Sequence, residues 1–380
     1  GKVTEEQINA ACRRVLEAKY KLGLFSDPYK YCDTLRTREK LYTAEHRSSA
    51  RTIATETFVL LKNDRHLLPL DIKGKIALIG SMADARNNMC GMWSMTCTPS
   101  RHGTLLEGIR SAAGDKAEIL YAKASNIYYD AETEKAATGI RPLERGDNRQ
   151  LLDEALRIAA RADVIVAALG ECAEMSGESV SRTNLEIPDA QQDLLKALVK
   201  TGKPVVLLLF TGRPLVLNWE ATNVHSILNV WFGGSETGDA VADVLFGKVA
   251  PSGKLTTTFP RSVGQLPLFY NHLNTGRPDP DNRIFNRYAS NYLDESNEPL
   301  YPFGYGLSYT DFVYSDLQIS SETLPKNGEL TVSVTVTNKG NYDGYETVQL
   351  YLRDIYAEIA RPLKELKGFE RIFLKSGESR

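Results

Sequence analysis

The sequence predicts an open α/β domain followed by a smaller antiparallel β-sandwich. Two observations lead to this prediction. Between residues 75 and 230, short apolar runs alternate with helical stretches, a pattern typical of a mostly parallel sheet covered by helices on both faces. From residue 312 onward the segments become β-branched or alternating and are separated by glycine-containing turns, which is typical of antiparallel strands.

The elements of the first domain follow from apolar spacing and from helix start and stop signals. A helix is predicted over residues 4–22, where Thr4 and Gln7 have capping-box spacing and Gly23 ends the helical pattern. A second helix is predicted over residues 43–62. Buried strands are predicted in KIALIG (75–80), AEILYA (117–122), DVIVAALG (163–170), PVVLLLF (204–210) and VHSILNV (224–230). Further helices are predicted near residues 104–113, 150–162, 189–201 and 235–246.

The second domain is predicted from four segments near the end of the chain. They are FVYSDLQIS, ELTVSVTVTN, TVQLYLRD and LKGFERIFL, and they predict strands of an immunoglobulin-type sandwich. A full sandwich of this type has about seven strands, so we expect an incomplete one in this chain. The whole chain is accordingly divided into residues 1–43, 44–277 (the α/β domain), 278–311 (a connecting segment) and 312–380 (the β-sandwich).

Composition and charge exclude two classes of partner. Of the 380 residues, 42% are hydrophobic and 25% are charged, as in ordinary globular proteins. The formal net charge of -2 offers no basis for binding nucleic acid or an anionic membrane. No apolar run reaches the roughly 18 residues of a membrane-spanning helix. We therefore predict neither a nucleic-acid partner nor a membrane partner.

The cysteines and the glycine-rich segments do not predict a cofactor. The five cysteines are an odd number at low density, which argues against a disulfide scaffold. Two single pairings stay open, Cys90 with Cys97 and Cys12 with Cys32. No cysteine pair has zinc-like spacing to histidines, and no dinucleotide-binding or phosphate-binding glycine motif follows a predicted strand. The sequence thus predicts no metal and no cofactor.

A loop rich in carboxylates follows the predicted strand at residues 163–170. It carries Glu171, Glu174, Glu178 and Arg182 before the next helix begins. Loops are commonly polar because they are solvated, which is the simplest explanation. However, ligands of open α/β sheets bind at the carboxyl ends of the strands. A carboxyl there, partly buried against another domain, can act as a general acid at neutral pH.

Longer motifs resemble glycoside hydrolase family 3, and in particular its bacterial β-glucosidase branch. VWFGGSETGDAVADVLFGKVAPSGKLTTTFPRSVGQLPLFYNHLNTGRP (230–278) and YPFGYGLSYTDF (301–312) are similar to the C-terminal part of that family. HRSSARTIATETFVLLKNDRHLLPL (46–70) is similar to the start of the family's second domain. VTEEQINAACRRVLEAKYKLGLFSDPY (3–29) is similar to the last helix of its N-terminal barrel and the linker that follows. The resemblance covers essentially the whole chain.

The resemblance implies a fold and a division of the catalytic residues. Family members combine a (β/α)8 barrel, an α/β sandwich and, in this branch, a fibronectin type III-like domain. Their nucleophile is an aspartate on the barrel, and no segment of this sequence matches its motif. Their acid/base is a glutamate shortly before an S-R-T segment, which corresponds to Glu178 in GESVSRT. Glu171, in LGE, is the second candidate, and Glu174 is the least favoured.

The resemblance also implies a substrate class and a location. The reaction is retaining, exo-acting hydrolysis of a β-glucoside or β-linked oligosaccharide by a periplasmic or secreted enzyme, with this chain inactive without the barrel. Trp93, in CGMWS, resembles a tryptophan near the leaving-group side of the cleft, with a core tryptophan as the alternative. Arg182 is expected to contact substrate or to hold the loop or a carboxylate. The alternative function is a non-catalytic carbohydrate-binding module or a dimerisation module, and in the second case the partner would be another copy of the chain.

Overall fold

The computed structural model describes residues 2–279 and 286–380. Residues 280–285, part of the predicted connecting segment, lie outside the described residues. Contacts between residues divide the chain into two units, with the boundary after Ser49. None of the described helices is long and apolar enough to cross a membrane.

The first unit contains helices α1 (Glu5–Lys21) and α2 (Thr34–Lys40) and the start of α3 (Ala44–Thr57). Helix α1 begins where the sequence predicts, because the Thr4 hydroxyl accepts from the backbone of Gln7 and the Gln7 side chain accepts from the backbone of Thr4. No residue between positions 2 and 49 is buried. The apolar side chains of α1 are therefore exposed.

The second unit is built on a six-stranded sheet with the order β1-β6-β5-β4-β2-β3. The strands are β1 (Val59–Asn63), β2 (Lys75–Ile79), β3 (Glu118–Ala122), β4 (Val164–Gly170), β5 (Val205–Phe210) and β6 (Ser226–Asn229). Strands β2 to β6 pair in parallel, and only β1 is antiparallel to its neighbour β6. The predicted mostly parallel sheet is thus confirmed, and each of the five apolar runs forms one of its strands.

The prediction of one helix over residues 43–62 is wrong in its second half. Helix α3 ends at Thr57, and the chain continues as β1, which pairs with β6 at the edge of the sheet. Residues 58–61 are all buried. Such a short continuous apolar run is compatible with either a helix or a strand, and pairing with β6 decides the outcome here.

Two hydrophobic cores lie on opposite faces of this sheet. Alternate residues of β5 enter different cores, for example Leu208 on one face and Leu207 on the other. The helices between the strands are α4 (Leu105–Ala113), α5 (Ala131–Thr138), α6 (Asn148–Arg161), α7 (Asp189–Lys200), α8 (Asn218–Asn223) and α9 (Thr237–Leu245). Buried residues of α4 and α9 belong to the first core and those of α6 and α7 to the second.

The end of the chain forms small antiparallel sheets, as predicted. Strands β7 (Phe312–Ile319) and β8 (Val332–Asn338) make one, and β9 (Gly344–Leu352) and β10 (Glu365–Leu374) make the other. Their shared core is small and centres on Val336, Ile372 and Leu374. An ion pair of 3.2 Å between Lys254 Nζ and Glu346 Oε2 links this part to the α/β domain.

Candidate active site

A cavity of about 620 Å³ opens at the carboxyl edge of the sheet. Four loops contribute to its wall, because the parallel strands β2, β4, β5 and β6 all end at this edge. The loop after β2 provides Trp93, the loop after β4 provides Gly177 and Ser179, the loop after β5 provides Arg213, and the segment after β6 provides Trp231. The structure therefore places the carboxylate-rich loop where an α/β sheet normally binds its ligand.

The start of the β4 loop is fixed by two backbone constraints. Gly170 has a φ of 130°, and a Cβ on it would lie 2.0 Å from the carbonyl oxygen of Phe210 in β5, so only glycine fits. The buried side chain of Gln191 in α7 donates to the carbonyl of Gly170 at 2.8 Å and accepts from its N–H at 3.0 Å. Both polar groups of Gly170 are thereby satisfied in the interior.

Glu171 is a fully buried carboxylate, with 0% of its side chain exposed. Its Oε1 accepts a hydrogen bond of 2.8 Å from Arg182 Nη1 and forms an ion pair of 3.1 Å with Arg213 Nε. Its Oε2 accepts from the hydroxyl of Thr211 at 3.0 Å and from the backbone N–H of Gly212 at 3.1 Å. Both oxygens of this buried carboxylate thus face internal donors.

The two arginines extend this buried centre to the loop backbone. Arg213 Nη2 donates to the carbonyl of Val180 at 2.9 Å and also to that of Met175. Arg182 Nη2 donates to the carbonyl of Glu186 at 2.9 Å. The two arginines thus hold the loop at three carbonyls, that of Met175 before position 178 and those of Val180 and Glu186 after it. We call Glu171, Arg182 and Arg213 the arginine clamp.

Glu178 lies between these anchor points and is exposed. It does not form any hydrogen bond or ion pair with another described residue. The preceding Gly177 packs closely on the β2 loop, since a Cβ there would lie 2.7 Å from Cγ of Met92. The following Ser179 has a φ of 61°. Gly177 and Ser179 both line the cavity, so Glu178 stands at its rim.

The remaining predicted residues differ in their surroundings. Trp93 is 72% exposed on the cavity wall, so it is not a core tryptophan. Arg182 is largely buried, and its donors are directed to Glu171 and the loop, which favours the loop-holding alternative over contact with substrate. Glu174 forms an ion pair with Arg141 at 3.3 Å. No pattern in the sequence singles out Arg213, although it follows β5 at the same edge of the sheet.

The loop that carries Trp93 is closed by a disulfide. Of the two pairings that the sequence leaves open, the structure contains Cys90–Cys97, whereas Cys12 and Cys32 are free and exposed. His102 lies against this disulfide, although no cysteine pair has zinc-like spacing to a histidine in the sequence.

The chain belongs to glycoside hydrolase family 3. The profile of the glycosyl hydrolase family 3 C-terminal domain matches residues 58–309, and that of the fibronectin type III-like domain matches residues 346–380. The family that the motifs predict is thereby confirmed.

Several relatives are similar over the whole of this chain. It is 48% identical over 385 residues to the periplasmic β-glucosidase of Salmonella typhimurium, covering 100% of this chain and 50% of that protein. It is 39% identical over 379 residues to a β-xylosidase of Formosa agariphila, covering 98% and 49% respectively. The solved β-glucosidase of Listeria innocua in complex with isofagomine superposes with a TM-score of 0.83 at 39% identity, covering 100% and 50%. Further structures of the Listeria enzyme contain glucose or, in a mutant, laminaribiose. The chain spans about half the length of these relatives.

Proposed function

We propose that Glu178 is the general acid/base of a retaining, exo-acting β-glucosidase, and that this chain is the part of the enzyme that carries it. The nucleophile is assigned to an N-terminal barrel domain outside this sequence, because no segment here matches its motif. The proposal rests on which carboxylates of the β4 loop are paired with arginines and which is not. Within the described residues, Glu171 and Glu174 are paired with arginines, whereas Glu178 is exposed and unpaired at the rim of a cavity.

The chemistry requires a carboxyl that can exchange a proton with the substrate. In a retaining glycosidase one carboxylate attacks the anomeric carbon, and the other protonates the departing oxygen. In the second step the same residue takes a proton from the water that releases the sugar. The two carboxyls stand about 5 to 5.5 Å apart, on either side of the bond that is cleaved. Glu178 can approach a substrate in this way because no described residue occupies its carboxylate.

Glu171 does not meet this requirement. To donate a proton it would have to bind one first, and both of its oxygens already accept from the surrounding donors. Protonation would also leave the partly buried guanidiniums of Arg182 and Arg213 without their counter-charge. We therefore assign Glu171 to the arginine clamp, which holds the loop while Glu178 takes part in the reaction.

The exposed indole of Trp93 is assigned to the leaving group. Aromatic faces pack well against the apolar faces of sugar rings, and this ring lies on the wall of the cavity beside the Glu178 loop. A β-glucoside or β-linked oligosaccharide is the proposed substrate, supported by the β-glucosidases among the relatives. The relative named periplasmic supports a periplasmic or secreted location. Because the nucleophile is assigned elsewhere, we expect this chain alone not to hydrolyse aryl β-glucosides.

The test uses the full-length parent enzyme with Glu178→Ala. With poor leaving groups kcat/KM should fall by a factor of about 10² to 10⁴, the usual contribution of general acid–base catalysis. With an activated aryl glycoside the first step should be nearly unaffected, and release of the sugar should become slow. Added azide, which attacks without a base, should restore turnover and give the β-glycosyl azide.

The matched control is Glu186→Ala, which removes another exposed glutamate of the same loop. It should retain the activity of the parent enzyme and show no azide rescue. If azide instead rescues Glu171→Ala and not Glu178→Ala, the assignment within the loop is wrong. If Glu178→Ala hydrolyses poor and activated substrates as well as the parent does, Glu178 has no catalytic role. The alternative of a non-catalytic carbohydrate-binding or dimerisation module would then replace the proposal.

A further inference from the structure

Cys90, Cys97 and His102 form a cluster of potential metal ligands on the segment between β2 and α4. Nε2 of His102 lies 3.4 Å from Sγ of Cys97 and 3.7 Å from Sγ of Cys90. The imidazole is only 4% exposed. Its other nitrogen, Nδ1, lies 3.1 Å from the carbonyl oxygen of Gly103. A carbonyl oxygen can only accept, so this contact is a hydrogen bond when Nδ1 carries the proton, and in that neutral tautomer the lone pair of Nε2 faces the two sulfurs.

This arrangement is the one that metal-binding histidines adopt. Such a histidine donates one ring N–H to a carbonyl or carboxylate, which fixes the tautomer and the ring, and coordinates through the other nitrogen. In a tetrahedral zinc site, with Zn–S of about 2.3 Å and Zn–N of about 2.0 to 2.1 Å, a sulfur and a nitrogen ligand lie roughly 3.6 Å apart. The two sulfur-to-nitrogen distances of 3.4 and 3.7 Å in the disulfide-bonded state lie on either side of this value. Two thiolates on one zinc ion lie roughly 3.8 Å apart, so the sulfurs have to separate after reduction.

The two cysteines are suitably placed to separate without a change of fold. Their Cα atoms are 6.5 Å apart, near the upper end of the range of about 4.4 to 6.8 Å that disulfides span. Both are partly exposed, so a reductant and a metal ion can reach them. Thiolate and imidazole ligands together favour zinc over magnesium or calcium.

We propose that Cys90, Cys97 and His102 bind one zinc ion, or a similar soft divalent cation, when the disulfide is reduced. A dithiol reductant gives two electrons to the S–S bond and two protons to the sulfurs, and becomes a disulfide itself. Zn²⁺ then displaces both thiol protons into solvent and binds two thiolates and the neutral imidazole. Water occupies the fourth position, since the described residues add no fourth histidine, cysteine or carboxylate to the cluster.

The same loop is thus cross-linked either by the disulfide or, in the proposed reduced state, by the metal ion. The segment between the two cysteines carries Trp93, and Cys90 itself lines the cavity. The serine hydroxyl of Ser94 also bonds to the carbonyl of Gly91 at 2.6 Å, which keeps the loop compact. Either cross-link holds the cavity wall in place, and this inference does not depend on the role of Glu178.

The experiment measures zinc uptake by this chain in a Cys12→Ser/Cys32→Ser background, which removes the exposed free thiols. The protein is reduced, stripped of metal and titrated with zinc under anaerobic conditions against a chromophoric chelator. We expect one zinc ion per chain for the reduced protein and none for the oxidised protein. Cobalt in place of zinc should give a thiolate-to-metal charge-transfer band and the strong visible bands of a tetrahedral site.

Three variants of this background test the ligand set. Cys90→Ser, Cys97→Ser and His102→Gln should each weaken zinc binding by at least about 10²-fold, because even the outer partners of metal ligands contribute about 10- to 100-fold. His66→Gln, which changes an exposed histidine, should bind zinc as the background does. X-ray absorption of the zinc-loaded background reports the sulfur and nitrogen ligands without any ligand substitution, so a variant that fails to fold does not decide the result.

Three results would overturn the proposal. The first is that the reduced background protein takes up no more zinc than Cys90→Ser does. The second is that His102→Gln binds zinc as tightly as the background, which would indicate adventitious binding to thiols only. Zinc uptake by the oxidised protein, whose sulfurs are bonded to each other, would also contradict it.

Discussion

The different surroundings of Glu171 and Glu178 predict that a Glu→Gln substitution destabilises the protein at position 171 but not at position 178. Glu171→Gln keeps the volume of the side chain but removes the charge that Arg182 and Arg213 face. Breaking a buried ion pair on one side costs about 3 to 5 kcal/mol. Arg182 and Arg213 retain 12% and 22% exposure, and partial solvation of the guanidiniums places the expected loss near the lower end, about 3 kcal/mol.

Glu178→Gln is the matched control, because it makes the same chemical change on the same loop at an exposed, unpaired site. It should alter the free energy of unfolding by less than about 0.5 kcal/mol. Urea unfolding followed by tryptophan fluorescence measures both variants. The three tryptophans are Trp93, Trp219 and Trp231, and all of them lie in the α/β domain, so the signal excludes the β-sandwich.

The same measurement can refute the reasoning. If Glu171→Gln unfolds at the same urea concentration as the unsubstituted chain, the buried contacts of Glu171 do not stabilise the loop. If Glu178→Gln loses as much stability as Glu171→Gln, Glu178 has a structural partner, and its assignment as the free carboxylate is wrong. Limited proteolysis adds a local readout, since loss of the clamp should make residues 175–186 cleavable in the folded protein.

Three further predictions concern buried groups elsewhere in the chain. Burial raises the pKa of the Cys172 thiol to about 12, so at pH 8 a maleimide should label Cys12 and Cys32 but leave Cys172 unmodified until the protein is unfolded. Gly108→Ala should destabilise the α/β domain by about 1 to 3 kcal/mol in urea unfolding, because the new Cβ would lie 2.3 Å from the backbone of α9. Burial also raises the pKa of Glu220, so ionising this carboxyl costs more in the folded protein than in the unfolded chain, and stability is lost as the pH rises through the raised pKa. Glu220→Gln should therefore increase the free energy of unfolding at pH 8 but not near pH 4, and an equal effect at both would contradict this.

The sequence predicts the sheet well because its strands are short, continuous apolar runs between helix signals. The prediction is wrong at β1, because the apolar run at residues 58–61 has no feature that distinguishes a strand from the last turn of a helix. The deciding contact is with β6, about 165 positions further along the chain, as in the pairing of Leu60 with Leu228. A local pattern does not contain that information.

The candidate site shows the same limit more sharply. The carboxylates of the β4 loop stand out in the sequence, but their partners do not. Arg213 and Thr211 follow β5 and lie some 40 positions after Glu171 in sequence, so only the parallel pairing of β4 with β5 brings them together. Likewise, no cysteine pair has zinc-like spacing to a histidine in the sequence, but the fold of the β2 loop places His102 beside both Cys90 and Cys97.

A loop that carries a catalytic acid has to meet two requirements that oppose each other. The reacting carboxyl must remain free of internal donors, yet its backbone must stay in one place, since misplacement by about 1 Å can lower a rate by about 10²-fold. In this loop the requirements fall on different residues. Glu171 accepts from the internal donors and, through Arg182 and Arg213, helps to fix carbonyls on both sides of position 178. Under the proposed assignment, the cluster of carboxylates therefore supplies one residue for the reaction, Glu178, and another, Glu171, that holds the loop from which it reacts.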